Sequence, residues 1–313
     1  MKTPNKKICY NFNKSLHKTI LQIFRELKTL LYNFYMNADL HVHSSYSDGS
    51  DSIKELAKKL ELAGVDIFAL TDHDTIEGCI EMRGVISDKI KFIPSIELTC
   101  RADSIKCHIL GYNCDPENKT LTDLVEKGKV LRRKKLETRI NYLKDVWKIE
   151  LTDEELAWLY SRRSVVKTHL ANILVNRGLA SDNVSAMKKY LDGCKTGDTR
   201  FTGEEGISAI LAAGGIPVWA HPLGGEGEKH LSKEEFLPKL EIMKSFGIKG
   251  LECYYSRYNF DEINFLVEYA EKNGFLISGG SDYHGTNKSI PLLRLNCNNT
   301  PINSEKLTLL NAI

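Results

Sequence analysis

Histidines and carboxylates recur along this 313-residue chain in short groups, each near the end of a short apolar run. The first group is Asp39-Leu40-His41-Val42-His43. In an extended strand alternate side chains share a face. His41 and His43 therefore project together, while Leu40 and Val42 point into the packing. Two imidazoles on one strand face can ligate one metal ion. The turn that follows, Ser44 to Gly49, can bring Asp48 back to the same mouth. Asp72-His73-Asp74 comes directly after the run Ile67–Leu70. Three consecutive ionisable groups at a strand end are costly to bury without a metal or hydrogen-bond partners. Glu97 lies just past the run ending at Ile96, and its two oxygens can bridge two cations. His108, then His221 in Ala220-His221-Pro222, then Asp282 and His284 between Gly279 and Gly285 complete the set. The last pair again has i, i+2 spacing.

A lone histidine is more often structural than a ligand. The combination points elsewhere: six of the nine histidines (His41, His43, His73, His108, His221, His284) lie at or near predicted strand ends. The C-terminal rim of parallel strands is where β/α active sites assemble. Mixed imidazole and carboxylate ligands suit zinc, manganese or iron, and not calcium.

The elements that must position these groups follow from periodicity. Strands are predicted at 38–43, 66–70, 91–96, 216–220, 250–255 and 276–278, alternating with helices at 53–63 and 260–273, as in parallel β/α units. Residues 115–213 read as mostly helix, with a long charged stretch over 120–147. Thr152–Glu155 and Thr202–Glu205 fit the capping-box pattern that starts a helix. The expected organisation is a metal-binding β/α body over 38–114 and 214–290, a helical insertion over 115–213, and a polar tail over 291–313.

Residues 1–37 form a prefix with apolar residues at helical spacing, expected to be a basic amphipathic helix. Residues 1–36 carry seven lysines and arginines against one glutamate, although the whole chain is only +2. A surface contact through 1–37 is one expectation. The near-neutral body argues against stable duplex DNA binding. No apolar run reaches the ~18 residues of a membrane span, and the eight cysteines are scattered without a CxxC pair, as in a reduced cytoplasmic enzyme.

The ordered runs DLHVHSSYSDGS, ALTDHDT, SIELTC, AHP, LECYY and GGSDYHG together resemble the polymerase and histidinol phosphatase (PHP) domain family, over roughly residues 38–290. The resemblance implies an α/β fold, a distorted seven-stranded β/α barrel holding two to three divalent metal ions (Mn, Fe or Zn). It implies that His41, His43, Glu97 and Asp282 hold one ion, and that Glu97, His108 and His221 hold a second. Asp48, His73 and His284 would hold a third. The helical insertion is similar to that of the branch acting on small nucleotides, which includes 3′,5′-nucleoside bisphosphate phosphatases and enzymes trimming RNA from the 5′ end. Lys167-Thr168-His169 departs from that branch, where arginine and proline usually precede the histidine, and lysine lacks the bidentate fork of arginine.

The implied chemistry is hydrolysis of a phosphate monoester by metal-activated hydroxide. Asp72 and Asp74 would orient His73 and its loop from outside the metal contacts. Lys167, His169, Lys195 and Arg257 are candidates for substrate contacts. The expected substrate is a 3′,5′-nucleoside bisphosphate or a short oligonucleotide. A 5′-3′ exoribonuclease or a histidinol-phosphate-type phosphatase is the alternative, and a non-catalytic metal-stabilised module a lesser one. Loss of ligands would mark the last case, and all nine positions are filled.

Overall fold

The computed structural model describes residues 36–102, 105–197, 200–225, 228–295, 300–302 and 304–313. Apart from Met36 these belong to one compact unit, Asn37–Ile313. The helix expected over the prefix lies outside the described residues.

Three parallel strands, β1 (Ala38–Val42), β2 (Ile67–Leu70) and β3 (Lys91–Pro94), form one sheet in the order β1-β2-β3. A second sheet runs β6-β4-β5-β7-β8-β9. Its members are β4 (Ile96–Ala102), β5 (Ile105–Tyr112), β6 (Phe201–Thr202), β7 (Ile216–Ala220), β8 (Gly250–Tyr254) and β9 (Leu276–Gly279). The expected single seven-stranded barrel is thus met, among the described residues, as a mixed α/β fold of two sheets. They touch at two isolated bridges, Val42 to Tyr283 and His73 to Glu97. At the first, the His43 amide donates to the Tyr283 carbonyl at 2.9 Å. Gly280 permits this approach, because a Cβ there would lie 2.3 Å from the His41 nitrogen.

The parallel alternation expected from sequence breaks at β4 and β5. They form an antiparallel pair, and β5 pairs antiparallel with β7. Ser95 alone separates β3 from β4, so Glu97 lies inside a strand and not beyond one.

Helix starts are written locally. Helix α1 (Ile53–Leu62) opens on a Ser52–Glu55 capping box and buries Ile53, Leu56, Ala57 and Leu60, the i, i+3, i+4, i+7 stripe of an amphipathic helix. Between α1 and the insertion lies the short α2 (Glu77–Arg83). The insertion holds the 29-residue α3 (Lys119–Trp147), α4 (Asp153–Ser161), α5 (Lys167–Asn176), the single turn α6 (Asn183–Ala186) and a π-helical turn, Met187–Leu191. These bury a core of their own around Leu136, Leu143, Leu159, Leu170, Leu174 and Tyr190. Capping boxes at Thr152–Glu155 and Thr202–Glu205 are present as expected. Helix α7 (Gly203–Ala212) follows the second box and packs on β4, β5 and β7. Helices α8 (Lys233–Ser245) and α9 (Phe260–Asn273) complete the set. The expected polar tail ends in two 3-10 turns, and Thr308 Oγ1 accepts the Ile277 amide of β9 at 2.8 Å. No described helix is long and apolar enough to cross a membrane.

Candidate metal centre

All nine residues expected to ligate metal meet at one place. Glu97 is their centre. Its Oε2 lies 3.3 Å from His41 Nε2, 3.3 Å from His43 Nε2 and 3.1 Å from His73 Nδ1. Its Oε1 lies 2.9 Å from His108 Nδ1 and 3.1 Å from His221 Nε2. Asp282 Oδ1 is 3.4 Å from His41 Nε2 and 3.3 Å from His43 Nε2. On the other side Asp48 Oδ1 is 3.1 Å from His284 Nε2 and 4.0 Å from His73 Nε2. His43 is shared, since its Nδ1 lies 3.7 Å from Asp48 Oδ1. His43, Asp48, His73 and His284 thus form one compact group, His41, His43 and Glu97 a second, and His73, Glu97 and His108 a third.

The donor set fits divalent cations. His41 Nε2 and His43 Nε2 face each other at 3.1 Å, and a carboxylate converges on both. Asp48 Oδ1, His73 Nδ1 and His284 Nε2 are buried with no hydrogen-bond partner among the described residues. Buried polar atoms are ordinarily satisfied, and orphaned atoms converging from three segments suit a common ion.

The backbone is strained where it delivers these groups. Asp74, His221 and Asp282 have φ of 49°, 31° and 54°, a region non-glycine residues enter only when the surroundings hold them there. Burial alone would raise the pKa of Glu97, Asp48 and Asp282, yet the facing side chains hold all three well below the usual carboxylate range. For Glu97 these are His73, His108 and His41; for Asp48, His284 and His73; for Asp282, Lys288 and then His41. Burial would depress His41, but Glu252, Asp282 and Glu97 outweigh it and hold the imidazole well above its ordinary value.

Supporting residues lock the ligands. Asp72 accepts from the Ser44 amide at 2.8 Å, from Ser44 Oγ at 2.6 Å and from Ser47 Oγ at 2.6 Å, fixing the turn between His43 and Asp48. Asp74 accepts the Thr99 amide at 2.6 Å and Arg132 Nε at 2.7 Å, joining β4 to α3. Both aspartates therefore act on the surrounding loops and not on the His73 ring. Sequence reading passed over Glu252. It is fully buried, lies 2.7 Å from His41 Nδ1 and accepts the His221 amide at 2.7 Å. It also passed over Tyr255 and Lys288, which donate to Asp282 Oδ2 at 2.9 and 2.6 Å. The sequence trace of Glu252 is a lone carboxylate in an apolar strand, inside the run LECYY, to which sequence reading attaches no role.

The cluster floors a cavity of about 1320 Å³ whose walls are rich in lysine and arginine. Of the four expected substrate contacts, Lys167 and Lys195 line it, Lys167 being paired with Asp192. His169 is placed otherwise. It is 5% exposed, its Nδ1 accepts the Val166 amide at 3.0 Å, and its ring meets Trp158 edge-on. Arg257 donates to the Gly225 carbonyl and lines a neighbouring groove of about 1150 Å³. That groove holds none of the nine clustered residues but shares Asn183, Val184, Asn287 and Lys288 with the cavity.

Comparison with known proteins accords with this geometry. The PHP domain model matches residues 39–195. A 5′-3′ exoribonuclease of Haemophilus influenzae is 30% identical over 251 residues, covering 79% of this chain and 89% of that protein. A 3′,5′-nucleoside bisphosphate phosphatase of Chromobacterium violaceum is 26% identical over 255 residues, covering 79% and 87%. Among solved structures, an amidohydrolase from Chromobacterium violaceum with bound SO4 and no metal superposes with a TM-score of 0.74 at 24% identity, covering 82% of this chain and 90% of that one. With the match to the family model and a relative at that identity, the chain belongs to the PHP domain family and is a metal-dependent phosphoester hydrolase.

Proposed function

We propose that this protein hydrolyses a phosphate monoester of a small nucleotide, with a 3′,5′-nucleoside bisphosphate as its substrate. The observation that carries this reading is the Glu97 carboxylate, met by five imidazole nitrogens at 2.9–3.3 Å on the floor of a cation-walled cavity. His41, His43, Glu97 and Asp282 would hold one ion, and Glu97, His108 and His221 a second. Asp48, His73 and His284 would hold a third. Manganese, iron and zinc all suit these donors. Divalent ions there supply Lewis acidity and bring the pKa of a bound water toward ~7.

The chain's own groups do the rest. Glu97 presents one oxygen to each side of the cluster. Asp72 holds the turn that carries Asp48. Tyr255 and Lys288 occupy Asp282 Oδ2, leaving Oδ1 to the cluster. The lysines and arginines of the cavity wall attract an anionic substrate. In this reading 38–114 and 214–290 form the metal-binding body, 115–213 is the helical insertion and 291–313 the tail. Strands β1, β2, β4, β5, β7, β8 and β9 would be the staves of a distorted barrel, an order supported by the two isolated bridges.

Exoribonuclease activity on short RNA is the second reading. It is favoured by the neighbouring groove that shares walls with the cavity, since further nucleotides need such a path. Phosphate release by manganese-loaded protein from adenosine 3′,5′-bisphosphate, a 5′-phosphorylated RNA pentamer and histidinol phosphate separates these outcomes. Fast release from the bisphosphate alone is expected. Preference for the RNA would establish the exoribonuclease, and release only from histidinol phosphate would overturn both nucleotide readings.

A further inference from the structure

Strand β4 carries Glu97, Thr99 and Arg101 on one face, and all three line the cavity. At about 3.3 Å per residue, Thr99 lies roughly 7 Å along the strand from Glu97 and Arg101 roughly 13 Å. The metal cluster occupies one end of this ruler. At Thr99 the strand meets α3, where Arg132, Lys135 and Arg139 recur at i, i+3 and i+7 and line the same cavity.

These cations are not equivalent. Arg132 is neutralised, because its Nη2 lies 2.6 Å from Asp74 Oδ2 and donates to Thr99 Oγ1 at 2.9 Å. Lys135 is 8% exposed, yet makes no hydrogen bond or ion pair among the described residues. The charged groups acting on it are Arg132, Arg200 and Arg139, with Asp74 the one opposing charge, already committed to Arg132. Arg200 also lines the cavity, from the segment leading into β6. A buried ammonium among guanidinium groups is unfavourable unless an anion joins them. Burial, reinforced by Arg132 and Arg200, pushes the lysine down to about 6. Arg139 has Asp192 and Arg200 has Glu228 among its charged neighbours, so Lys135 is the member of the cluster that no described carboxylate pairs.

We infer that Lys135, Arg139 and Arg200 bind a second phosphate of the substrate, in the same cavity as the phosphate held at the metal cluster. This rests on the phosphoesterase reading above and adds to it the residues that select a doubly phosphorylated nucleotide over a singly phosphorylated one. Arg132 positions Thr99 and Asp74 and does not itself bind that phosphate.

The test compares wild type with Lys135→Met and Arg139→Gln, each loaded with manganese. Two quantities are read: the dissociation constant of adenosine 5′-monophosphate by calorimetry, with adenosine as the phosphate-free control, and the ratio of kcat/KM for adenosine 3′,5′-bisphosphate to that for p-nitrophenyl phosphate. Loss of one charge-assisted contact is expected to weaken the monophosphate ~10–100-fold and lower the ratio by a similar factor. Adenosine affinity should not follow, and Lys135→Arg should restore most of both losses. Equal monophosphate affinity in wild type and both variants would overturn the inference. Should Lys135→Met fail to show a cooperative melt, Arg139→Gln carries the same test. If the wild type ignores the bisphosphate but binds the monophosphate through Lys135, the anion site stands and the substrate assignment falls.

Discussion

The carboxylate of Glu252 lies 2.7 Å from Nδ1 of His41, both side chains wholly buried. Its other oxygen accepts the His221 amide at 2.7 Å. A carboxylate at Nδ1 fixes the tautomer that leaves Nε2 free to face Glu97 and Asp282. Glu252→Gln replaces one oxygen by an NH2 group, which must then oppose either the His41 N–H or the His221 N–H. We expect the manganese concentration for half-maximal activity to rise ~10–100-fold, with activity recovering at high metal. A metal titration of activity checks this, and an unchanged half-saturation point would remove Glu252 from the role.

Ligands that meet only in the folded chain couple metal binding to stability. Adding manganese to chelator-treated protein should raise Tm with concentration, by about 2.7 kcal/mol at a hundredfold excess over Kd. At roughly 2–4 °C per kcal/mol this is about 5–10 °C. His43 borders both the Asp48 group and the Glu97 group. His43→Ala is therefore expected to abolish hydrolysis, keep a cooperative melt and lose most of the manganese-dependent rise. Wild-type activity in this variant would refute the proposed metal contacts.

Much of the centre could be seen in the sequence because its residue types are rare and its spacing regular. His41 and His43 alternate on a strand, and Asp282 and His284 share that i, i+2 spacing. Glu97 and His108 were noticed, but the antiparallel pair that holds them was not. The run after Ile96 offers only Asp103-Ser104 as a turn signal, weaker than a pair containing glycine. Glu252 could not be assigned a task, since its partner lies 211 residues earlier. Lys135 sits in a helix dense with charge, and only packing against the cavity separates it from its solvated neighbours. His169 is a substrate-contact candidate through the likeness of Lys167-Thr168-His169 to the small-nucleotide branch. The structure turns its ring inward, where Nδ1 accepts a backbone amide at the start of α5.

Arg132 joins α3 to the strands through Asp74, which has φ 49° and is 4% exposed. Arg132→Met leaves that carboxylate buried without its cation, a change that typically costs about 3–5 kcal/mol. The denaturation midpoint should fall accordingly. Adding Asp74→Asn to Arg132→Met should recover part of the loss, since the uncompensated charge is then removed. Additive losses in the double variant would show that the two side chains are not energetically coupled.

Lys135→Met should move stability the other way. In the folded chain burial, with Arg132 and Arg200, pushes Lys135 down to about 6, against an ordinary value of 10.5. Between those values the unfolded chain binds one proton more than the folded chain, so this lysine makes stability rise with pH. Below about 6 both states are protonated and the penalty is complete. Methionine fills a similar volume without a charge. If about 1–2 kcal/mol of the penalty is recovered near neutrality, Tm rises by roughly 2–8 °C. The gap between variant and wild type should be widest near pH 6 and close as pH climbs toward the ordinary lysine range. Melting curves of the metal-loaded proteins from pH 6 to 9 measure that gap. Parallel Tm profiles across the window would mean that Lys135 keeps its proton in the folded chain, and that its cluster already contains a counter-charge.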